Sequence, residues 1–212
     1  LELLKELEAD TYRAIAIGYS ANPIVQAFAE TARTYKIEED IIAPFFVSMT
    51  MDIEPTSYNH KLYKQYIYGS AKVVGLMCLK VFCESNKDLY DKLSSGAKRL
   101  GAGYQKVNFL RDISSDYKEL GRLYFPDVQF DTFSDSQKTA IAKEIRNDFN
   151  ESNAYINQLP ASSQAAVRAS FDYYLGLLNK IDKTSVNVLK NNRVRTSNAS
   201  KFGLLIRAAI KR

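Results

Sequence analysis

Apolar residues recur along this chain at intervals of three and four, and no stretch alternates in the manner of a strand. The periodicity predicts helices over about 1–17, 24–36, 38–50, 58–83, 86–119, 134–157, 161–190 and 198–211. Punctuation agrees with these limits. Pro23 stands where a proline opens a helix at its first turn, and Asp52-Ile53-Glu54-Pro55 closes the third helix. Thr56 or Ser57 is the expected cap of the helix that follows. Gly121 to Ser134, with Pro126 inside it, is the one clear loop. No repeat, low-complexity tract or Pro/Ser/Gly linker divides the chain. The expectation is a single all-α domain spanning 1–212.

Composition narrows the chemistry. At 46% hydrophobic residues the chain can bury a substantial core. It contains no run of about 18 apolar residues, so a spanning helix is not expected. Two cysteines, Cys78 and Cys83, make no disulfide framework and point to a reducing, cytoplasmic setting. They and Met49, Met51 and Met77 are expected in the core, as soft gap-fillers. A single histidine, His60, excludes multi-histidine metal sites, so any metal must be held mainly by oxygen. The net charge is +5, but seven basic residues and no acidic ones lie from Lys190 to Arg212. The rest of the chain is slightly acidic. Such a tail can attract an anionic surface, and it lacks the interleaved aromatics and reading helix of a nucleic-acid binder.

The segment GAGYQKVNFLRDISSDYKELGRLYFP, Gly101 to Pro126, holds most of the chemical information. On a helix Gln105, Asn108, Asp112 and Asp116 share an arc of about 80°, with Val107, Leu110, Ile113 and Tyr117 on another. Two carboxylates one turn apart can bracket a hard cation such as Mg²⁺, and the Asn108 amide can add an oxygen. The same spacing also marks an ordinary solvated face. Glu2, Glu6 and Asp10 form such a stripe on the first helix and are read as solvated.

The neighbours of Asp112 and Asp116 carry more weight than their spacing. Gln105 to Asp116 followed by Gly121 to Pro126 resembles the QxxNxxRDxxxD and GRxYxP motifs of the squalene and phytoene synthases. YIYGSAKVVGLM at Tyr66–Met77 and MTMDIEPTSY at Met49–Tyr58 are similar to two further segments of that family, in the same order, and Arg193–Arg195 also fits. The resemblance implies an isoprenoid-synthase-type bundle around a central cavity. It implies head-to-head condensation of two prenyl diphosphates through a cyclopropylcarbinyl diphosphate. Phytoene synthesis from geranylgeranyl diphosphate is the leading expectation. The alternatives are a squalene or dehydrosqualene synthase acting on farnesyl diphosphate, with NADPH only in the squalene case, and a non-catalytic helical interaction module.

By the resemblance, Asp112, Asp116 and Asn108 would hold Mg²⁺, with Mn²⁺ as a substitute. Tyr66 would lie near the reacting carbons, alongside the catalytic pair Asp112 and Asp116. Gln105, Asn108, Arg122, Tyr124, Tyr174 and Arg193 would serve the diphosphate, with Arg122 and Tyr124 in a closing loop. Two departures stand out. Lys72 occupies a position where the family usually has Gly, so it is expected to turn outward or to shift its helix. The family's first aspartate-rich motif is absent, and helices upstream of Leu1 are therefore expected to be missing from this chain, leaving it inactive alone. Ser197 to Arg212 reads as a basic amphipathic helix suited to weak, peripheral contact with anionic membranes.

Overall fold

The structure, a computed structural model, describes residues 1–54 and 57–195. The expected final helix, its membrane contact and Thr56 as a cap lie outside the described residues. Helices α1 (Glu2–Ile17), α2 (Pro23–Tyr35) and α3 (Glu39–Ile53) follow the predicted order. α1 stops at Gly18, whose φ of 84° turns the chain while its N–H bonds the Ala14 carbonyl. Asn22 caps α2, with Pro23 at its first turn as expected.

The predicted 58–83 helix forms as α4 (His60–Ile67) and α5 (Val73–Phe82), joined without a break through a π-helical turn at Tyr68–Lys72. Its cap is Asn59, which accepts from Leu62 N–H at 2.9 Å, rather than Ser57. α6 (Lys87–Leu120) is the longest element, capped by Asn86 and ended by Gly121 in the left-handed region. Ser134 and Gln137 form a reciprocal capping box at the start of α7 (Asp135–Ile156).

α8 (Ala161–Asp182) ends eight residues before the predicted limit, and a short α9 (Val186–Leu189) follows. The cause is Lys138 on α7, almost fully buried at 3% exposure. Its ammonium takes the carbonyls of Asp182 at 3.0 Å and Thr184 at 2.5 Å. A buried cation at the end of a helix draws the free carbonyls to itself and stops the helix there.

The core is organised along α6. The π-helical turn and α5 run antiparallel to it at such short range that a Cβ at Gly101 would lie 2.4 Å from the Ala71 carbonyl oxygen of the turn, and one at Gly75 of α5 2.6 Å from that of Ala97. On the α7 side Gly103 admits the ring of Phe149, which is fully buried. A second contact between these helices is ionic. Lys106 and Asp148, both buried, pair at 2.7 Å, with Arg99 on the other Asp148 oxygen at 2.9 Å and Glu144 also on Lys106. Lys72 is half-buried, not turned outward. Desolvation and the neighbouring Lys106 charge push its ammonium below the ordinary lysine range. The close contact beside it uses Ala71 and Gly101, which leaves room for a lysine. Among the described residues no helix is long and apolar enough to cross a membrane.

Two glycines separate packing from helix propensity. In Gly103→Ala the new methyl would sit 2.5 Å from the Phe149 ring, and overpacking of about 1–3 kcal/mol should exceed the roughly 1 kcal/mol gained in propensity. Gly176→Ala on α8 meets nothing within 4 Å and should gain about 0.5–1 kcal/mol. Thermal melts followed by circular dichroism should therefore move in opposite directions. A shift of the same sign in both would refute close approach at Gly103.

Candidate active site

The C-terminal half of α6 carries the four polar residues of the predicted arc, and the structure gives its two carboxylates unlike surroundings. Asp112 is held by two guanidinium groups. Arg111 reaches it through Nε at 2.9 Å and Nη2 at 2.5 Å, and Arg193 through Nε at 2.6 Å and Nη2 at 3.2 Å. Asp116 has no side-chain hydrogen bond or ion pair among the described residues. Burial, followed by repulsion from Asp112, raises its carboxyl to about 6 against the opposing pull of Arg122, Arg111 and Arg193. One turn before Asp112, the Oδ1 of Asn108 is buried with no hydrogen-bond partner. An unpaired amide oxygen and, two turns further on, an unpaired carboxylate cost stability unless something electropositive meets them.

Beside this face stands a wall of aromatic rings. Tyr124 stacks on Phe109 with centroids 4.0 Å apart and planes 5° from parallel. Tyr66 lies 5.1 Å from Tyr124, and Tyr58 meets both, at 5.4 Å from Tyr66 and 5.0 Å from Tyr124. The Tyr66 and Tyr124 hydroxyls both donate to Asp52, at 2.8 and 3.3 Å, and the Arg122 guanidinium joins them on the same carboxylate at 3.5 Å. Burial and the Asp52 charge push the Tyr66 phenol well above the ordinary tyrosine range, so it is a neutral donor at any physiological pH. Asp52 received no role from the sequence. Its only signal there was membership of the MTMDIEPTSY segment.

A cavity of about 430 Å³ opens between α5, α6, α7 and α8. Its α6 side runs from Leu93 through Ala97 and Gly101 to Gln105, one turn short of Asn108. The lining is largely apolar, with small residues such as Ala97 and Gly101 on the α6 side. Gln105 therefore belongs to the head of the cavity. Tyr174 stacks on Tyr104 at 4.0 Å, and Tyr104 lines the same end. Cys78 is exposed on the cavity rim and not in the core, whereas Cys83 is buried as expected. The expected apolar neighbour Tyr117 is partly exposed and stacks on Phe130 at 4.1 Å.

The raised Asp116 carboxyl fixes a sign for stability against pH. Its folded value lies above the unfolded one, so the protonated folded state is favoured at low pH and that advantage disappears as pH rises through about 6. Asp116→Asn should thus melt above the metal-free wild type at pH 7.5, and the gap should close below the ordinary carboxyl range near pH 4. A gap that widens on acidification would contradict the environment described for Asp116.

Comparison with known proteins places this geometry. Residues 1–200 match the family model described as squalene/phytoene synthase. Phytoene synthase 1 of Arabidopsis thaliana chloroplasts is 27% identical over 180 residues, which is 76% of this chain and 42% of that protein. The 4,4'-diapophytoene synthase of Staphylococcus haemolyticus is 26% identical over 146 residues, 68% of this chain and 48% of that protein. The chain thus spans less than half the length of these curated relatives. The crystal structure of a dehydrosqualene synthase in complex with a ligand superposes with a TM-score of 0.75 at 20% identity, covering 98% of this chain and 77% of that one. The fold is accordingly the all-α isoprenoid-synthase fold anticipated from the motifs. With the match running over nearly its whole length, the chain belongs to the squalene/phytoene synthase family.

Proposed function

We propose that the protein of which these residues form part condenses two molecules of geranylgeranyl diphosphate head-to-head to phytoene, through a cyclopropylcarbinyl diphosphate. The observation that carries this reading is that one helix, α6, bears the carboxylates at one end and lines the apolar cavity along the other. A diphosphate anchored near Asp112 and Asp116 has its hydrocarbon chain directed along α6 into that cavity.

The donor set fits a magnesium ion in part. Among the described residues no group of three or more acidic, histidine or cysteine side chains gathers in one place. Asn108 and Asp112, and likewise Asp112 and Asp116, stand one turn apart, so each neighbouring pair can offer oxygens to an ion. Asn108 and Asp116 lie about 12 Å apart along the axis and do not share one. Asp112, Asp116 and Asn108 would hold Mg²⁺, or Mn²⁺, which when bound neutralises the departing diphosphate. Arg193 and Arg122 add positive charge at the same end. The faces of Tyr66, Phe109 and Tyr124 supply ring electron density towards a carbocation and exclude the water that would quench it.

The cavity is long enough to take the twenty-carbon chain of this reading. Leu93 to Gln105 covers about 18 Å at 1.5 Å per residue. An extended chain advances about 1.2 Å per bond, so the fifteen main-chain bonds of a geranylgeranyl group reach about 18 Å and the eleven of a farnesyl group about 13 Å.

Incubation of the full-length protein with geranylgeranyl or farnesyl diphosphate and Mg²⁺, followed by product analysis, tests the proposal. Phytoene is expected. Dehydrosqualene, or squalene in the presence of NADPH, would move the assignment to the fifteen-carbon enzymes, and an inert full-length protein would support a binding module. The 212-residue chain alone should be inactive.

Two substitutions refine the test. Asp112→Asn or Asp116→Asn should lower turnover at least about 100-fold with cooperative melting retained, because these side chains are asked to hold charge rather than to pack. Ala97→Phe would narrow the cavity midway along its α6 side, which penalises the longer chain more than the shorter one. It should shift the preference towards farnesyl diphosphate. An unchanged ratio of products would refute the use of this cavity as a ruler.

A further inference from the structure

Asp52 is in the wrong place for helix stability. It lies in the last turn of α3, where the helix dipole disfavours an anion and that turn itself contains no basic residue. Yet its single carboxylate, 27% exposed, is the meeting point of three chain segments. The Tyr66 hydroxyl on α4 donates to Oδ2 at 2.8 Å. From the segment after α6, the Tyr124 hydroxyl donates to Oδ1 at 3.3 Å and Arg122 pairs with the same oxygen at 3.5 Å. Arg122 also donates to the Asp52 main-chain carbonyl, so one guanidinium grips both the side chain and the free carbonyl of the helix end.

One turn earlier on the same face of α3, the fully buried Ser48 hydroxyl donates to the Tyr66 carbonyl at 3.2 Å. That carbonyl faces the π-helical turn at Tyr68–Lys72, where the regular hydrogen-bond ladder of the helix is interrupted. Tyr66 is therefore fixed at both ends by α3, its backbone by Ser48 and its hydroxyl by Asp52.

We propose that Asp52 is the positioning residue of this site. It holds the Tyr66 ring in place against Phe109 and Tyr124 and, through Arg122 and Tyr124, latches the 121–126 segment to the end of α3. Asp52 acts through these side chains and touches neither the carboxylate pair nor the cavity. Its use in catalysis rests on the synthase reading, but the latch itself does not.

The test begins with the 212-residue chain carrying ¹³Cζ-tyrosine. Tyr66→Phe and Tyr124→Phe assign the two resonances. Asp52→Asn, which keeps the shape and removes the charge, should shift both while melting stays cooperative. Tryptic cleavage after Arg122, read by mass spectrometry, should accelerate about tenfold as the latch opens locally. In the Tyr66→Phe/Tyr124→Phe background the resonances are gone and Asp52→Asn should affect only the cleavage, through Arg122.

In the full-length protein, Asp52→Asn should lower kcat on the order of 10- to 100-fold, with KM changed far less. Unmoved resonances or unaltered cleavage would overturn the latch. A kcat within about twofold of wild type would overturn the positioning role, whatever the resonances do. An inactive wild type would sink the synthase reading instead, while the spectra and cleavage still decide the latch.

Discussion

Close approach of backbones along α6 is the constraint on which the rest of the structure depends. A helix of 34 residues that must pack on α5 and α7 at once needs small residues wherever a neighbour's carbonyl or ring comes within van der Waals range. Gly101 against Ala71 and Gly103 against Phe149 meet that need on two sides. Ala97 and Gly75 do the same one turn further along. The spacing that brings the helices together on these faces leaves the face between α5 and α8 unfilled, and that is the cavity. Since the same helix continues to Asn108, Asp112 and Asp116, packing at one end fixes where the polar groups stand at the other.

That arrangement also explains how much could be read from the chain itself. The helices were legible because burial on one side and solvent on the other impose a period near 3.6, and six of the seven predicted elements lying wholly within the described residues appear with small changes at their ends. The early end of α8 was not legible. It depends on the Lys138 ammonium, which reaches the Asp182 and Thr184 carbonyls from another helix and leaves no trace in local periodicity. The π-helical turn after Tyr66 was equally hidden, because one extra residue in a buried turn hardly disturbs an apolar pattern. Asn59 was missed as a cap because Ser57 and Thr56 have the same chemistry nearby.

For the site, the sequence supplied the α6 face and the family, and the structure supplied the asymmetry. The motif presents Asp112 and Asp116 as equals. In space Asp112 is satisfied by Arg111 and Arg193, whereas Asp116 is half-buried with no side-chain partner among the described residues. Nothing in the spacing distinguishes them, since Arg193 arrives from 81 residues away. Asp52 was overlooked for the reverse reason. An isolated acid at a helix end carries no pattern, and its role emerges only when Tyr66, Arg122 and Tyr124 converge on it.

The contrast between the two charged clusters on α6 carries the final step. Lys106, Asp148, Arg99 and Glu144 form a buried network in which each of the two buried ions, Lys106 and Asp148, has two partners of opposite sign. Such a network is close to neutral in its contribution to stability and fixes the register of α6 against α7. Asn108, two residues beyond Lys106, and Asp116, ten beyond it, leave an amide oxygen and a carboxylate without partners among the described residues. Had selection acted on stability alone, a lysine or a hydrophobic residue there would have removed the strain, as the first cluster demonstrates on the same helix. Unpaired oxygens, one of them a carboxylate, on the same face of one helix mark where a cationic ligand is expected. The register fixed by the first cluster holds the second in place while it waits unpaired.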